Sequence, residues 1–305
     1  MEFLELYPHC LNKNEMKKHF KILLIPIFCS VLLFQSCGEK SETPIKGSLK
    51  CYVDESLFNV IQVEKDTFMV HYKQSKIELF KVKAREGIAT ILNGDISLFI
   101  SSRNLNDEEK TYFEKTNLPI RAFKFCYDAV VPIVNKKDPA DKVTMDEIKN
   151  FLSGKPTRFR IYVPEPNSGI YEYLKRNVLD GKELTNVSVV KSEEEVIQKI
   201  KTVKNALGFV GLDNAHGDEI KILQVGVMRR DGEALYYDPY VAYLISQTYP
   251  LVRTTAIIIN DPALGVASGF ASFLTSYEGQ KIVSKNNLGP WTQKDLDQAS
   301  YVPMS

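Results

Sequence analysis

The sequence predicts an α/β protein in which strands alternate with helices. Between residues 47 and 285, short apolar runs, several with a period of two, alternate with segments whose apolar side chains recur every three or four residues. Such alternation is typical of parallel sheets with helices on both faces. A long apolar run from 120 to 134, which contains Asp128 and Pro132, exceeds one ordinary strand. We therefore predict that this run crosses from one lobe to a second.

The predicted strands are apolar or alternating runs that lie between turn residues and helix starts. In the run from 77 to 82, for example, apolar and polar side chains alternate, as they do in a strand with one buried face. Strands are expected at 47–53, 77–82, 96–100, 159–163, 187–190, 207–210, 220–227 and 254–259.

The predicted helices begin at residues that satisfy free backbone N–H groups. Thr144 and Ser192 each open a capping box, with a glutamate three residues later. Acidic residues at 107–109 predict another helix start, because the helix dipole favours negative charge there. Helices are expected around 57–68 and 85–92, from 106 onward, and at 144–154, 170–179, 192–203 and 263–285.

The first 37 residues are interpreted as an export signal, with Met16 as the true start. Lys17, Lys18 and Lys21 precede an apolar run of 13 residues from 22 to 34, which is too short to span a bilayer. The run ends at Ser36-Cys37, which is similar to a bacterial lipobox. Cys37 would then be lipidated and begin the mature chain, with residues 38–46 as a linker; an uncleaved N-terminal anchor is the alternative. Both interpretations place the protein outside the cytoplasm, tethered to the cell membrane.

Length and charge narrow the class of protein. Removal of residues 1–37 leaves 268 residues, enough for two α/β lobes or one large domain. Lys plus Arg then falls from 39 to 35 and Asp plus Glu from 38 to 35, so the mature chain is formally neutral. Nucleic-acid binding needs clustered basic residues on one face, and a neutral chain without basic runs argues against it.

The mature chain lacks the residue patterns of common catalytic and metal sites. It contains no His-Glu-x-x-His, Cys-x-x-Cys or Gly-x-Ser-x-Gly sequence. Cys51 and Cys126 lie in apolar stretches and are interpreted as buried free thiols, with a disulfide as the alternative. We expect no enzyme activity, metal or cofactor, although catalysis by scattered Asp and Glu stays open.

Three clusters of residues are candidates for binding an anion. Ser168 and Gly169 precede a predicted helix, where a hydroxyl and backbone N–H groups favour an anion. The alternative is that Ser168 only caps this helix. The second candidate, Ser102 with Arg103, follows the strand at 96–100, because ligands of open parallel sheets lie at the carboxyl ends of strands. The alternative is that Arg103 pairs with Asp107 or Glu108 nearby.

The third cluster is Asp54-Glu55-Ser56, which follows the first predicted strand. By default these residues cap the next helix. If they face a cleft, they offer a hydroxyl, N–H groups and a carboxylate that accepts a proton from a protonated ligand.

Taken together, these residues resemble the substrate-binding proteins of phosphate ABC importers (PstS-like), which have the type II periplasmic-binding fold. The matching segments occur in the family's order and cover about 48–290. They are Ile96–Glu108 with Ser102-Arg103-Asn-Leu105, Tyr127–Asn135, Val143–Gly154, Asn167-Ser168-Gly169, Ala206–Gly211, Tyr249-Pro-Leu-Val-Arg253 and Ser272–Val283.

The resemblance implies two α/β lobes joined by two hinge crossovers, near Asp128 and Tyr249. Residues 47–128 and 250–305 would form the first lobe, and 129–249 the second. The implied function is capture of phosphate or a similar small anion by a monomer that delivers it to an ABC importer permease. Asp128 joins the three clusters as an expected ligand-binding residue.

Two departures from the family's pattern favour alternative ligands. Pro164 occupies a position where many members have an arginine, and Ile170 replaces the threonine that follows Ser-Gly. The alternatives are an organic acid or another oxyanion in the same fold, or a surface or signalling lipoprotein that does not take part in transport.

Overall fold

The computed structural model describes residues 42–116 and 119–291. The predicted signal at 1–37, with Met16 and Cys37, lies outside these residues. Among the helices of the described residues, none is both long enough and apolar enough to cross a membrane.

Thirteen strands occur in the described residues, most of them near the predicted positions. They are β1 Lys46–Asp54, β2 Gln74–Val82, β3 Leu98–Ser101, β4 Arg121–Asn135, β5 Lys142–Thr144, β6 Arg160–Pro164, β7 Val187–Val190, β8 Ala206–Gly211, β9 Ile220–Ile222, β10 Gln224–Met228, β11 Ala234–Tyr237, β12 Val252–Ile259 and β13 Gly289–Pro290.

The helices lie between these strands. They are α1 Phe58–His71, α2 Ala84–Leu92, α3 Asp107–Thr116, α4 Met145–Leu152, α5 Gly169–Tyr173, α6 Glu193–Thr202, α7 Val241–Ile245, α8 Val266–Leu274 and α9 Tyr277–Lys285. Short 3-10 turns occupy Glu55–Leu57 and Leu212–Asn214, and a π turn occupies Leu174–Val178.

The main sheet is mixed, whereas the sequence pattern predicts a parallel one. Its strand order is β2-β1-β3-β12-β4-β8-β6-β7. Strands β2, β1 and β3 are parallel to one another, and so are β8, β6 and β7. In contrast, β12 is antiparallel to β3 and β4, and β4 is antiparallel to β8. The apolar content of buried strands is the same in both arrangements, so the pattern cannot show their direction.

Strand β4 joins the two ends of the sheet. It pairs with β12 up to Ala129 and with β8 from Val130 onward. We call the part built from β2, β1, β3 and β12 the first lobe, and the part built from β8, β6 and β7 the second lobe. The predicted crossing of the apolar run is therefore one continuous strand, and the residue boundaries of the two lobes stay a prediction.

One hydrophobic cluster extends through both lobes, and a smaller one lies beneath α2. Several local predictions are wrong in detail. The helix predicted at 170–179 is the five-residue α5 followed by the π turn, and the strand predicted at 220–227 is divided at Leu223 into β9 and β10. Strands β5, β11 and β13 and helix α7 were not predicted, because each is too short to show a period.

Two further expectations concern the linker and the cysteines. The end of the predicted linker is packed on the fold, because Pro44 lies so close to Gly269 of α8 that a Cβ there would overlap its carbonyl oxygen. Cys51 and Cys126 are both buried free thiols, as the default interpretation states.

Candidate functional site

A buried ion pair lies where β12 meets β4. Arg253 and Asp128 are directly opposite each other in the antiparallel register of these strands. Arg253 donates from Nε and Nη2 to Asp128 Oδ2, at 2.9 and 2.6 Å. Arg253 is only 6% exposed and Asp128 is fully buried, so the strand register itself fixes the guanidinium beneath the surface.

The remaining donor of this guanidinium points toward a contact between the two lobes. Arg253 Nη1 and the hydroxyl of Ser102 are buried polar atoms without a hydrogen-bond partner among the described residues. Both face Gly169, the first residue of α5: a Cβ at that position would overlap Ser102 Oγ and would lie 3.4 Å from Arg253 Nη1. Gly169 therefore permits a close approach that brings two unpaired donors together.

Asp54, at the end of β1, contributes an acceptor beside these donors. Its Oδ1 accepts the backbone N–H of Ser56 at 3.0 Å, and its Oδ2 is buried without a partner within the described part of the chain. Burial raises the pKa of Asp54, and the nearby charge of Arg253, followed by the Ser56 N–H and the adjacent Ser102 and Ser56 hydroxyls, partly offsets that rise. The site thus contains both unpaired donors and an unpaired acceptor.

The other two residues of the Asp54-Glu55-Ser56 cluster are engaged by the second lobe. The hydroxyl of Ser56 donates to Glu193 Oε1, while Glu193 Oε2 accepts the Gly211 N–H at 2.7 Å. Glu55 Oε2 accepts the Glu193 N–H of the second lobe at 3.4 Å, as well as a charge-assisted hydrogen bond from Lys83 at 2.7 Å. Ser56 and Glu55 therefore join the lobes beside the site, and their ligand-binding role stays a prediction.

Buried carboxyl groups outnumber buried cations here, and this imbalance shows in their pKa values. Burial raises the pKa of Asp128 and of Glu193, with Arg253 opposing the rise in both. Burial, reinforced by the charge of Glu193, raises the pKa of Glu55 to about 8. Burial alone would lower the pKa of Arg253, but the surrounding carboxylates raise it, so this guanidinium stays charged.

Arg103, a predicted anion anchor, is paired within the protein. Its Nη1 and Nη2 donate to the two carboxylate oxygens of Glu109, each at 2.8 Å, and its Nε forms an ion pair with Glu172 of α5. The alternative expectation, that Arg103 pairs with acidic residues nearby, therefore holds, but its partners are Glu109 and Glu172 and not Asp107 or Glu108. The prediction that Arg103 binds a ligand remains, but the structure gives this guanidinium two carboxylates already.

The predicted anion turn is present, but its serine hydroxyl caps a helix. Ser168 Oγ accepts the Tyr171 N–H at 3.2 Å, and Ser168 is fully buried. Ile170, which replaces the family's threonine, is buried in the large hydrophobic cluster. Gly169 is thus the member of this turn that reaches the contact with Ser102 and Arg253.

A cavity of about 420 Å³ adjoins this contact. Ser102, Gly169 and Arg253 line its inner end. The wall beyond them is formed by Arg103–Asn106, Glu172, Tyr173, Arg176, Asn177, Val252 and Thr254. The Ser102 and Arg253 donors are themselves buried, so a small ligand in the cavity would reach them once the contact between the lobes opens.

Arg253 and Glu193 were not named as site residues from the sequence, although a signal for one of them was present. Arg253 is a single charge at the start of an apolar strand, and Asp128 is an acidic residue within another apolar run. Because an isolated buried charge is very costly, two such residues of opposite sign predict each other as partners. Glu193 gave no such signal, since it stands among three consecutive glutamates at a helix start.

The carboxyl groups do not form a cation site. In the part of the chain that the structure describes, no group of three or more His, Cys, Asp or Glu side chains is arranged to hold a metal ion. Arg253 and Lys83 occupy the positions beside these carboxylates instead.

The chain matches the model of the PBP superfamily domain over residues 38–278. It is 23% identical over 271 residues to the phosphate-binding protein PstS of Staphylococcus aureus (strain USA300), which covers 82% of each chain.

Solved structures show the same fold. A phosphate ABC transporter substrate-binding protein of Clostridium perfringens, solved with bound phosphate, has a TM-score of 0.70 and 20% identity over 80% of this chain and 99% of that chain. An ABC-type phosphate transport receptor of Vibrio cholerae has a TM-score of 0.59 and 16% identity over 80% of this chain and 100% of that one. The predicted bilobal α/β fold is confirmed.

Proposed function

The chain belongs to the periplasmic-binding-protein (PBP) superfamily, and we propose that it captures a small oxyanion, phosphate above all, between its two lobes. The observation that carries this proposal is the pair of unpaired buried donors, Arg253 Nη1 and Ser102 Oγ, at the inner end of the cavity. Each buried polar atom without a partner costs about 1–3 kcal/mol, so an anion that accepts from both gains this free energy on binding. The curated relatives, which are phosphate-binding proteins, support the same ligand.

Asp54 fits an anion that carries a proton. Its Oδ2 is a buried acceptor without a partner among the residues described, beside donors that suit the remaining ligand oxygens. Phosphate at neutral pH keeps at least one O–H group, and this group donates to the carboxylate. The site therefore suits phosphate better than an anion without a proton.

We propose that the protein delivers its ligand to an ABC importer permease, from outside the cytoplasm and anchored by lipid at Cys37. The hinge would consist of two crossings, one in β4 near Asp128 and one before β12 near Tyr249. Support for the first crossing comes from the change of pairing partner between Ala129 and Val130. Lobes at 47–128 with 250–305, and at 129–249, are the corresponding proposal.

Replacement of the unpaired serine tests the proposed site. Ser102→Ala removes one ligand donor and should weaken phosphate binding about tenfold, measured by isothermal titration calorimetry at pH 7. The unliganded variant should unfold at the same temperature as the native chain or higher, because a buried hydroxyl without a partner has been removed.

Ser268→Ala is the matched control. Ser268 Oγ is also buried without a partner in the described structure, but it lies on α8, away from the cavity. This variant should share the thermal behaviour of Ser102→Ala and keep native phosphate affinity. Absence of phosphate binding by the native chain, or equal binding by both variants, would refute the proposed site.

A further inference from the structure

Carboxylates around the cavity already balance two of the three arginines that line it. Arg253 pairs with Asp128 at 2.6 Å. Arg103 pairs with Glu109 at 2.8 Å and also with Glu172. Opposite charges in contact largely cancel each other's field at a distance. These two arginines therefore attract an anion in the surrounding solution only weakly.

Arg176, the third arginine of the cavity wall, presents its charge to solvent. It is exposed, and no carboxylate of the described residues forms an ion pair with it, whereas the adjacent Lys175 pairs with Glu183. Its field also reaches the opposite wall. Burial would raise the pKa of Glu109, but the hydrogen-bonded Arg103 lowers it, and the charge of Arg176 adds a smaller lowering. Arg176 thus gives the outer part of the cavity a positive field.

Arg176 lies on the same helical face as the inner end of the cavity. Helix α5 and the π turn after it contribute Gly169, Glu172, Tyr173, Arg176 and Asn177 to the wall, at the spacing of neighbours on one helix face. Gly169 lies at the inner end. At a rise of about 1.5 Å per residue, Arg176 is about 10 Å farther out along this face. The wall therefore leads from an exposed cation to the buried donors.

The donors of the proposed site are too deeply buried to make the first contact with a ligand. Ser102 is fully buried and Arg253 is 6% exposed, so both become accessible only when the lobes separate. An anion that arrives from solution meets the field of Arg176 first. Clefts that focus the field of one sign of charge raise association rates by about 10-fold to 1,000-fold. An exposed arginine on the entry wall therefore suits a capture step.

We propose that Arg176 captures the oxyanion at the outer part of the cavity and sets its rate of association, without contacting the anion once it is bound. This inference rests on the proposed function, because the captured anion then moves inward to Ser102 and Arg253. Arg176 acts through its charge, so it attracts phosphate and sulfate alike. Discrimination between these anions belongs to the buried site.

Rapid-mixing kinetics with inorganic phosphate, together with calorimetry, test this inference on the full chain at pH 7. In about 0.01 M NaCl the Debye length is about 30 Å, and Arg176→Gln should lower the association rate constant about fivefold. The dissociation rate constant should change by less than about twofold, so Kd rises by the same factor as association slows. In about 1 M NaCl the Debye length is about 3 Å, and the variant should associate as fast as the native chain.

Two further variants separate charge from other effects. Arg176→Lys keeps the charge and should keep the native association rate in dilute salt. Arg160→Gln is the matched control, because Arg160 is also exposed but begins β6, at the opposite end of this strand from the turn that contains Gly169, and does not line the cavity. This control loses the same charge and should associate within about twofold of the native rate.

The outcomes distinguish this inference from the proposed function. If the native chain binds phosphate but Arg176→Gln associates no more slowly than Arg160→Gln in dilute salt, the capture role is refuted and the proposed function stands. If Arg176→Gln mainly speeds dissociation, Arg176 contacts the bound anion, and the capture role is again wrong. If the native chain does not bind phosphate, the proposed function fails and this inference fails with it.

Discussion

At the scale of single residues, Asp54 should decide which oxyanion is bound. Its unpaired Oδ2 accepts the O–H of phosphate, whereas sulfate at neutral pH has no proton to donate. Sites that hydrogen-bond a ligand O–H reject analogues without it by about 10⁴-fold. Asp54→Asn replaces the carboxylate with an amide that also donates. We expect the ratio of phosphate to sulfate affinity to fall at least 100-fold, measured by calorimetry at pH 7.

Asp261→Asn is the control for this change. Asp261 is also buried, but its carboxylate accepts the Ser268 N–H at 2.9 Å near the start of α8, away from the cavity. Asparagine caps helices equally well, so this variant should keep both the native ratio and the fold. An unchanged ratio in Asp54→Asn would show that Asp54 does not contact the ligand proton.

The two arginines show what the sequence alone could predict at this scale. Arg103 follows a strand end and has the chemistry of an anion anchor, but Glu109 lies within its reach on the next helix. Arg253 was quoted only as part of a family segment, and its partner Asp128 lies 125 residues away in sequence. Such pairing depends on strand register, which local patterns do not specify.

At the scale of elements, the contact of α5 with the loop after β3 controls the distance between the lobes. Gly169→Ala places a methyl group where Ser102 Oγ lies, so the two elements must separate. We expect phosphate affinity to fall more than tenfold, and the free energy of unfolding to fall by about 1–3 kcal/mol because of overpacking. Calorimetry and urea denaturation measure these two effects.

Gly265→Ala provides the comparison for that prediction. Gly265 precedes α8 and has a φ that any residue adopts. A Cβ added there would lie 3.5 Å from its nearest neighbouring atom, which is ordinary contact. The Gly265→Ala variant should bind phosphate with native affinity and unfold at the same urea concentration as the native chain. Native affinity in Gly169→Ala would mean that the ligand site does not depend on this approach.

Helices and strands were predicted best where the spacing of their apolar side chains repeats over several helical turns or strand alternations. Helix α1 lies where it was predicted, with Val60, Ile61 and Phe68 buried, and Thr144 forms the expected capping box with Glu147. The segment after Gly169 was less predictable, since the π turn at 174–178 depends on packing and has no local sequence signal. The mixed direction of the sheet was also not predictable from local patterns, because β12 pairs antiparallel with β3, which lies more than 150 residues earlier in the sequence.

At the scale of the whole molecule, polar contacts around the cleft hold the two lobes together. The Arg85 N–H of α2 donates to the Asn167 carbonyl oxygen at 3.1 Å, and Arg85 also forms an ion pair with Glu172. Lys83 Nζ donates to the Lys191 carbonyl oxygen at 2.6 Å. Ligand entry therefore requires these contacts to separate, as hinge motion between lobes allows.

Buried acids make the stability of the whole chain depend on pH. Glu64 of α1 is fully buried, and neither carboxylate oxygen has a hydrogen-bond partner among the described residues. Burial, with a smaller effect of Glu278, raises its pKa from 4.5 to about 9. Burial also raises the pKa of Asp213 to about 7. Between their unfolded and folded pKa values, these groups hold protons in the folded chain that the unfolded chain releases.

The free energy of unfolding should therefore fall as pH rises from about 5 to about 9, because the folded state binds more protons. Glu64→Gln keeps the shape of the neutral acid and cannot ionise. At pH 8 it should exceed the native chain in stability by on the order of 2 kcal/mol, and at pH 4.5 the two should be nearly equal. Urea denaturation at both pH values measures this difference, with the exposed Glu86→Gln as the control for net charge. If Glu64→Gln loses stability with pH as steeply as the native chain, Glu64 is not the buried proton carrier that its position indicates.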